Sequence, residues 1–454
     1  MNTSYDVKFW EIRRNKSSKA ASYEVRWKVG GREKSKSYRT KALGENFLSD
    51  LRQAAKRGEA FDMETGLPES MIQAKEAQNW YAFVLAYIDM KWPHSAAKTR
   101  DAMTDALATV VPALTRDIPG KPEVSVLRTA LRHYALPPNA RDKARPVEIA
   151  KALRWLDKAS VPLAELQEAK TVRAGLDALA LLLNGKAAAA NTIRRKRAVF
   201  YNALQYAVEL EELLANPVTK VRWKPVKVAE TVDPRVVVNP EQVRELLTMV
   251  TYVGRRGRGR RLMALFACMY YAGIRPGEAV ALRKQDCRLP ATGWGRLSLD
   301  VSRPEVNTRW TDSGDAHEAR GLKHRAQEDT RPVPIPPVLV RILREHLDEF
   351  GTAKDGRLFQ SERGGVVAST AYTEVWAAAR LLALTPEQAA SPLARRPYDL
   401  RHAAVSLWLN AGVPAPEIAR RAGHGVDVLL RVYAKCIDGQ EETVNRRIDD
   451  ALAA

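Results

Sequence analysis

The chain has 454 residues, with 73 Lys+Arg against 53 Asp+Glu, a formal net charge of +20 and a pI near 9.8. Such an excess attracts polyanions and gains from counterion release, which leaves DNA, RNA or an anionic membrane surface as partner classes. No apolar run reaches the roughly 18 residues a membrane span needs, and Met1–Asp6 does not read as a secretory signal. Cys268, Cys287 and Cys436 have neither disulfide nor metal-ligand spacing, which suits a reducing cytoplasm. There is no zinc-type cluster and no glycine-rich phosphate loop, so neither metal nor cofactor is expected. The length suits two or three domains, each with its own core.

The first sixty residues are the most one-sidedly basic, with twelve Lys/Arg and three acids between Lys8 and Lys41. Tyr23, Val25, Trp27 and Val29 alternate with Glu24, Arg26 and Lys28, the period-two pattern of a half-buried strand. Gly30-Gly31 suits a two-residue hairpin turn, and the strand after it places Arg32, Lys34, Lys36 and Tyr38 on one face. With Val7–Arg13 as a first strand, residues 1–62 predict a three-stranded antiparallel sheet followed by a helix from about Lys41 to Arg57. A basic sheet of this kind can enter a DNA groove through Arg26, Lys28, Lys34 and Lys36. A solvated hairpin whose lysines aid solubility fits the same pattern. Met63–Ser70 reads as a linker.

Residues 71–217 predict helices, with breaks at Pro93, Pro112, Pro137-Pro138 and Pro162. Three-to-four periodicity runs through Trp80–Ile88 and again through Leu176–Leu183. A longer helix, about Thr192 to Leu214, buries Val199, Phe200, Leu204 and Val208. Its first turns carry Arg194, Arg195, Lys196 and Arg197 at the end where the helix dipole disfavours cations. External phosphate would offset that repulsion; a solvated charged face is the plainer reading. Residues 216–234 form a basic linker. Asn239-Pro240 then opens a new helix with an N-cap and a first-turn proline, and Gly254–Arg261 is a basic loop before the apolar helix Leu262–Tyr271.

Chemistry concentrates in four short segments of this last part, residues 235–454. They are Ala272-Gly-Ile-Arg275-Pro-Gly-Glu278, Tyr398-Asp-Leu-Arg401-His402, Ala422-Gly-His424 and Val432-Tyr433-Ala. Guanidinium, imidazole and phenol together suit a phosphodiester, because arginines hold phosphate oxygens bidentately and a tyrosine oxygen can attack phosphorus. An ion pair between Arg275 and Glu278, three residues on, is compatible with that role.

These four ordered motifs resemble the catalytic domain of the tyrosine recombinase (phage-type integrase) family. The resemblance implies a multidomain, mostly α fold with small β-sheets: an N-terminal sheet-plus-helix module (1–62) similar to an arm-binding domain, a helical core-binding domain (71–217) and an α+β catalytic domain (235–454). It implies Tyr433 as nucleophile, forming a 3′-phosphotyrosine and releasing a 5′-hydroxyl without ATP or metal. Arg275 and Arg401 would clamp the phosphate, with Glu278 orienting them and His424 bonding the phosphate or aiding proton transfer. The general acid would be a lysine on a hairpin, here Lys323 in Gly-Leu-Lys323-His-Arg, with Arg331-Pro-Val-Pro-Ile as the return strand. Lys284 is the weaker alternative.

The chain departs from the family pattern His-x-x-Arg by placing Tyr398 at its first position, and a phenol is a far poorer base than imidazole near pH 7. The expectation is that Tyr398 orients the phosphate while His402 or His424 handles protons. His402, next to Arg401, is expected to point elsewhere and to serve structure. A C-terminal helix after Tyr433, with Val444, Ile448 and Leu452 as its apolar stripe, would dock on a neighbouring protomer. The implied partners are double-stranded DNA at core and arm sites, three further copies of the chain in a homotetramer, and a host DNA-bending protein and directionality factor. Two other readings share these residues, a type IB topoisomerase and a catalytically decayed DNA-binding protein.

Overall fold

The computed structural model describes residues 2–15, 22–72, 78–223, 231–322, 330–436 and 441–453. The chain divides into two compact units, residues 1–227 and 228–454.

The first unit opens with β1 (Thr3–Ser4), β2 (Val7–Phe9), β3 (Arg13–Asn15), β4 (Ser22–Val29) and β5 (Arg32–Tyr38), then α1 (Lys41–Lys56) and β6 (Phe61–Asp62). β2 and β3 pair along one edge of β4 and β5 along the other, so the expected three-stranded sheet is present with its first strand interrupted. Gly30 and Gly31 both have positive φ, which lets the turn follow the strand twist. Val25, Trp27 and Val29 bury against Leu48 and Leu51 of α1 and against Phe61.

The register corrects the expected basic face. Trp27 lies opposite Lys34 and Val25 opposite Lys36, so both lysines share the face of the buried residues. Lys34 Nζ donates to the Glu64 carbonyl. Lys36 Nζ sits 4.8 Å from the Phe47 ring centroid and 3.3 Å from Glu211. Arg26 and Lys28 occupy the other face with Lys8, which is opposite Lys28. The linker expected at Met63–Ser70 is also corrected: Met63 and Leu67 pack on the sheet core, and Trp27 Nε1 donates to the Gly66 carbonyl at 2.6 Å. A tryptophan N–H must find an acceptor when buried, and the turn at Gly66 supplies one.

The helices that follow include α2 (Trp80–Lys91), α3 (Ala97–Ala113), α4 (Val124–Ala130), α5 (Val147–Ala159), α6 (Ala169–Leu179) and α7 (Ala190–Glu209). Trp80 stacks on Phe83 and meets Phe200 edge-on. α6 stops at Leu179, so Leu181, Leu182 and Leu183 lie outside it and are exposed. α7 stops at Glu209 rather than Leu214, where Glu211 turns to φ +60°. In its basic first turns Arg194 and Arg195 are exposed and Arg197 is half-buried. Lys196 instead turns inward to Asp105 at 3.2 Å, so an internal carboxylate offsets part of the charge expected to need phosphate.

The second unit contains α8 (Pro240–Tyr252), α9 (Arg258–Tyr271), α10 (Pro276–Ala279), β7 (Cys287–Arg288), β8 (Gly295–Leu299), β9 (Val301–Ser302), β10 (Arg320–Gly321) and β11 (Arg331–Ile335). After them come α11 (Pro337–Phe350), α12 (Ser369–Ala383), α13 (Pro386–Ala390), α14 (Asp399–Asn410), α15 (Ala415–Ala422), α16 (Val426–Tyr433) and α17 (Glu441–Ala453). Asn239 and Gln242 form the capping box that starts α8. A three-stranded antiparallel sheet of order β11-β8-β7 backs onto the main core, built around Leu265, Phe266, Leu297, Val333, Leu343 and Trp376. A second, smaller core holds Val405, Ile418, Leu429 and Tyr433 where α14, α15 and α16 meet. In α17 Ile448 and Leu452 are 51% and 81% exposed.

Candidate active site

The short loop after α9 is forced into shape by Gly273, whose φ is +59° and whose missing β-carbon leaves room for the Trp408 ring. Arg275 follows, with Pro276 at the first position of α10 and Glu278 at its third. The Glu278 carboxylate accepts from the Arg275 backbone N–H at 2.8 Å and from Arg275 Nη1 at 2.9 Å. Arg275 Nη2 donates to the Gly423 carbonyl at 2.9 Å. The first of the four segments is thereby tied to the third across 148 residues of chain.

α14 supplies the second arginine. Asp399 is fully buried and accepts from the Arg396 backbone N–H at 2.8 Å, which fixes the start of the helix. Arg401 is 1% exposed. Its guanidinium donates to the Gly273 carbonyl and, at 2.6 Å, to the Ala422 carbonyl, where α15 has run out of internal donors. Burial and then the neighbouring Arg275 disfavour its charge, yet a guanidinium stays protonated. Two nearby cations held without a full complement of carboxylates form a site prepared for an anion.

Arg331 is the residue that sequence reasoning missed. It is 1% exposed, and its Nη2 lies 2.7 Å from Glu278 Oε2. In β11 the residues Arg331, Val333 and Ile335 all point inward, so the signal was present as an arginine at a core position of an alternating strand. Burial opposes the charge on Glu278, but Arg331 and then Arg275 outweigh it and hold the carboxyl down at about 2.

α15 ends at Gly423 with φ +67°, a left-handed cap, and His424 follows. Among the described residues neither ring nitrogen of His424 bonds another side chain, and its polar neighbour is the Gly425 backbone. Burial, then Arg401 and Arg275, push its pKa down to about 4, which favours the neutral ring. Tyr433 closes α16. Its side chain is 3% exposed, and burial raises its phenol pKa above the ordinary value of 10.0 against the opposing pull of Arg401.

The expectation that His402 points elsewhere is corrected. His402 Nδ1 lies 2.9 Å from Tyr433 Oη. Tyr398, one helical turn earlier on the same face, meets the His402 ring edge-on with centroids 5.1 Å apart. The i,i+4 spacing of Tyr398 and His402 was readable in the sequence. The direction of that face was not.

The structure thus brings Arg275, Glu278, Tyr398, Arg401, His424 and Tyr433 together and adds Arg331 and His402. Lys323 lies outside the described residues. Lys284 stands in a 3-10 turn after α10. Arg26, Lys28, Lys34, Lys36, Arg194, Arg195 and Arg197 belong to the first unit. Among the described residues there is no group of three or more His, Cys, Asp or Glu side chains placed to hold a metal ion.

No family model matches the chain. A curated relative, a XerC-like tyrosine recombinase of Caldanaerobacter subterraneus subsp. tengcongensis, is 22% identical over 266 residues, 55% of this chain and 63% of the relative. The match therefore spans less than two thirds of that protein's length. A lambda integrase dimer bound to a COC' core site aligns over 95% of both chains at 12% identity, with a TM-score of 0.46. A Tn1549 transposon integrase in complex with a circular intermediate DNA aligns over 69% of this chain and 96% of its own at 13% identity, with a TM-score of 0.50. The fold is that of the tyrosine recombinases. Within this tyrosine recombinase fold, the four ordered segments come from α10, α14, α15 and α16 and converge on one point. Among the described residues no helix is long and apolar enough to cross a membrane.

Proposed function

We propose that the chain is a site-specific DNA recombinase, the integrase of a prophage or other mobile element, acting in the bacterial nucleoid. The observation that carries this reading is the convergence of Arg275, Arg401 and His424 beside the Tyr433 phenol, a set with cations for a phosphate and one oxygen nucleophile. Tyr433 Oη attacks phosphorus, the 3′-phosphate becomes ester-linked to the tyrosine, and the 5′-oxygen leaves with a proton from Lys323. Arg275 and Arg401 hold the non-bridging oxygens and stabilise the charge that grows on them as phosphorus becomes five-coordinate. Glu278 and Tyr398 orient this set, and His424 bonds the phosphate. The phosphotyrosine conserves the bond energy, so religation to another 5′-end needs no nucleotide.

The division of labour along the chain is part of the proposal. Residues 71–217 and 235–454 bind the core site, through Arg194, Arg195 and Arg197 among others, and residues 1–62 contact arm sites, through the face that carries Arg26 and Lys28. Four protomers act together on two duplexes, and α17 docks on a neighbouring copy with the exposed Ile448 and Leu452. A host bending protein and a directionality factor complete the assembly.

The test is a covalent-adduct assay on denaturing gels. Full-length chain and Tyr433→Phe are incubated with nicked suicide duplexes selected from a random-sequence pool by binding. An adduct formed by the first and not by the second supports the reading. Absence of adduct on a duplex that binds tightly leaves a DNA-binding protein without cleavage activity.

A further inference from the structure

The phenol of Tyr433 is enclosed, and a tyrosine oxygen attacks phosphorus only as it loses its proton. That proton needs a destination within hydrogen-bond reach. Tyr398 occupies the position where the resemblance expects an imidazole, and a second phenol cannot accept a proton near pH 7. His424 stands next to Tyr433 with ring centroids 6.3 Å apart, and its nitrogens make no bond to the phenol. It is also flanked by Arg401 and Arg275, which suits a contact to phosphate. Among the described residues it is His402 whose imidazole reaches the nucleophile, with Nδ1 2.9 Å from Tyr433 Oη.

We propose that His402 is the general base of the cleavage step, a catalytic residue that takes the Tyr433 proton and returns it on religation. The inference rests on the recombinase reading above. With the neutral ring carrying its own proton on Nε2, Nδ1 is an acceptor for the phenol O–H. As the Oη–P bond forms and the P–O5′ bond breaks, the phenol proton passes to His402 Nδ1, and the leaving 5′-oxygen is protonated separately. The imidazolium so formed lies beside a phosphorane whose negative charge stabilises it. In the reverse step the 5′-hydroxyl attacks phosphorus, and the departing Tyr433 oxygen takes its proton back from His402. Burial pushes the free ring's pKa down to about 4, which keeps it neutral but weakly basic before DNA arrives. The negative charge of the phosphorane is what raises its proton affinity during the step. One helical turn from Tyr398, it replaces in space what the sequence lacks at that position.

The test compares wild type, His402→Asn, His402→Ala and His424→Ala on a nicked duplex obtained by binding selection, read both by mobility shift and by the single-turnover rate of adduct formation. A matched duplex carries sulfur in place of the bridging 5′-oxygen, a leaving group that needs no acid. Both His402 variants are expected to bind DNA within about twofold of wild type and to form adduct roughly 10²–10⁴-fold more slowly, the range general base catalysis supplies. The slow rate should persist on the sulfur duplex, and added imidazole should partly restore His402→Ala. His402→Asn keeps a polar group of similar size, so it carries the test if the alanine variant folds poorly. Adduct formation by His402→Asn at the wild-type rate would overturn the proposal, as would full recovery of either variant on the sulfur duplex, which would place His402 at the leaving group. Failure of the wild type itself to form any adduct would instead sink the recombinase reading.

Discussion

A β-carbon built on Gly423 would fall 1.9 Å from Arg331 Nη1. The left-handed cap that aims His424 into the site is thus seated directly against the guanidinium that neutralises Glu278. Gly423→Ala combines that clash with a φ of +67° that an L side chain resists. It should cost about 2 kcal/mol or more and reduce adduct formation more than DNA binding. Denaturant unfolding and the adduct assay measure the two effects.

Arg331→Met leaves Glu278 buried without its closest cation, with Arg275 still paired to it and the charge of Arg401 nearby. Breaking a buried pair from one side costs on the order of 3–5 kcal/mol. The double variant Arg331→Met/Glu278→Gln should recover part of that loss, because no buried carboxylate is then left short of a cation, although Arg275 gives up its ion pair. Urea unfolding of all four members of the cycle gives the coupling, and a cycle that is simply additive would contradict direct pairing.

Glu278 also sets an acid limit. Its pKa near 2 in the folded chain lies below the roughly 4.3 of an unfolded glutamate. The stability it contributes is present above about pH 4.3 and is lost as pH falls towards 2, on the order of 3 kcal/mol in all. Glu278→Gln should flatten the stability–pH curve in that window. An unchanged acid limb would show that other carboxylates dominate it.

His402 and His424 act in the window above. Both titrate near 4 when folded, below the roughly 6.5 of an exposed imidazole. The unfolded chain therefore takes up protons first, and stability declines as pH falls from about 6.5 to 4. Histidine NMR titrations, assigned with His402→Gln and His424→Gln, should find both rings neutral at pH 6. A bound duplex should move the His424 midpoint upward, because a phosphate opposes the charge of Arg275 and Arg401.

In the N-terminal sheet, Arg26 and Lys28 should matter to DNA where Lys36 does not. Arg26→Ala and Lys28→Ala are expected to weaken binding to every duplex and to lower the salt slope by about 0.9 for each phosphate left without its cation. Lys36→Met should leave the slope alone while affecting stability, since its ammonium lies over Phe47 and beside Glu211. Equal slopes for all three variants would mean that the two faces are not distinguished.

The N-terminal sheet, the run of helices and the four chemical segments were legible because each rests on local rules: period-two alternation before Gly30-Gly31, three-to-four periodicity at Trp80–Ile88, a cap at Asn239-Pro240. What failed were choices that local rules leave open. Lys34 and Lys36 alternate correctly, yet strand register puts them on the face of Val25 and Trp27 rather than on a free basic surface. Met63–Ser70 has a linker's composition, but a buried tryptophan N–H needed the Gly66 carbonyl.

The same boundary runs through the site. The order of residues already carries which groups are present: two arginines, a histidine after Ala-Gly, a tyrosine nine residues later, and Tyr398 in place of an imidazole. It took folding in three dimensions to make Arg331, more than fifty residues beyond Glu278, its closest partner, and to set His402 rather than Tyr398 against Tyr433. Those contacts join residues 53 and 31 positions apart. They exist because α14, α15 and α16 close a small core around the phenol and β11 turns one arginine inward, and no periodicity in the chain encodes which way such a face will point.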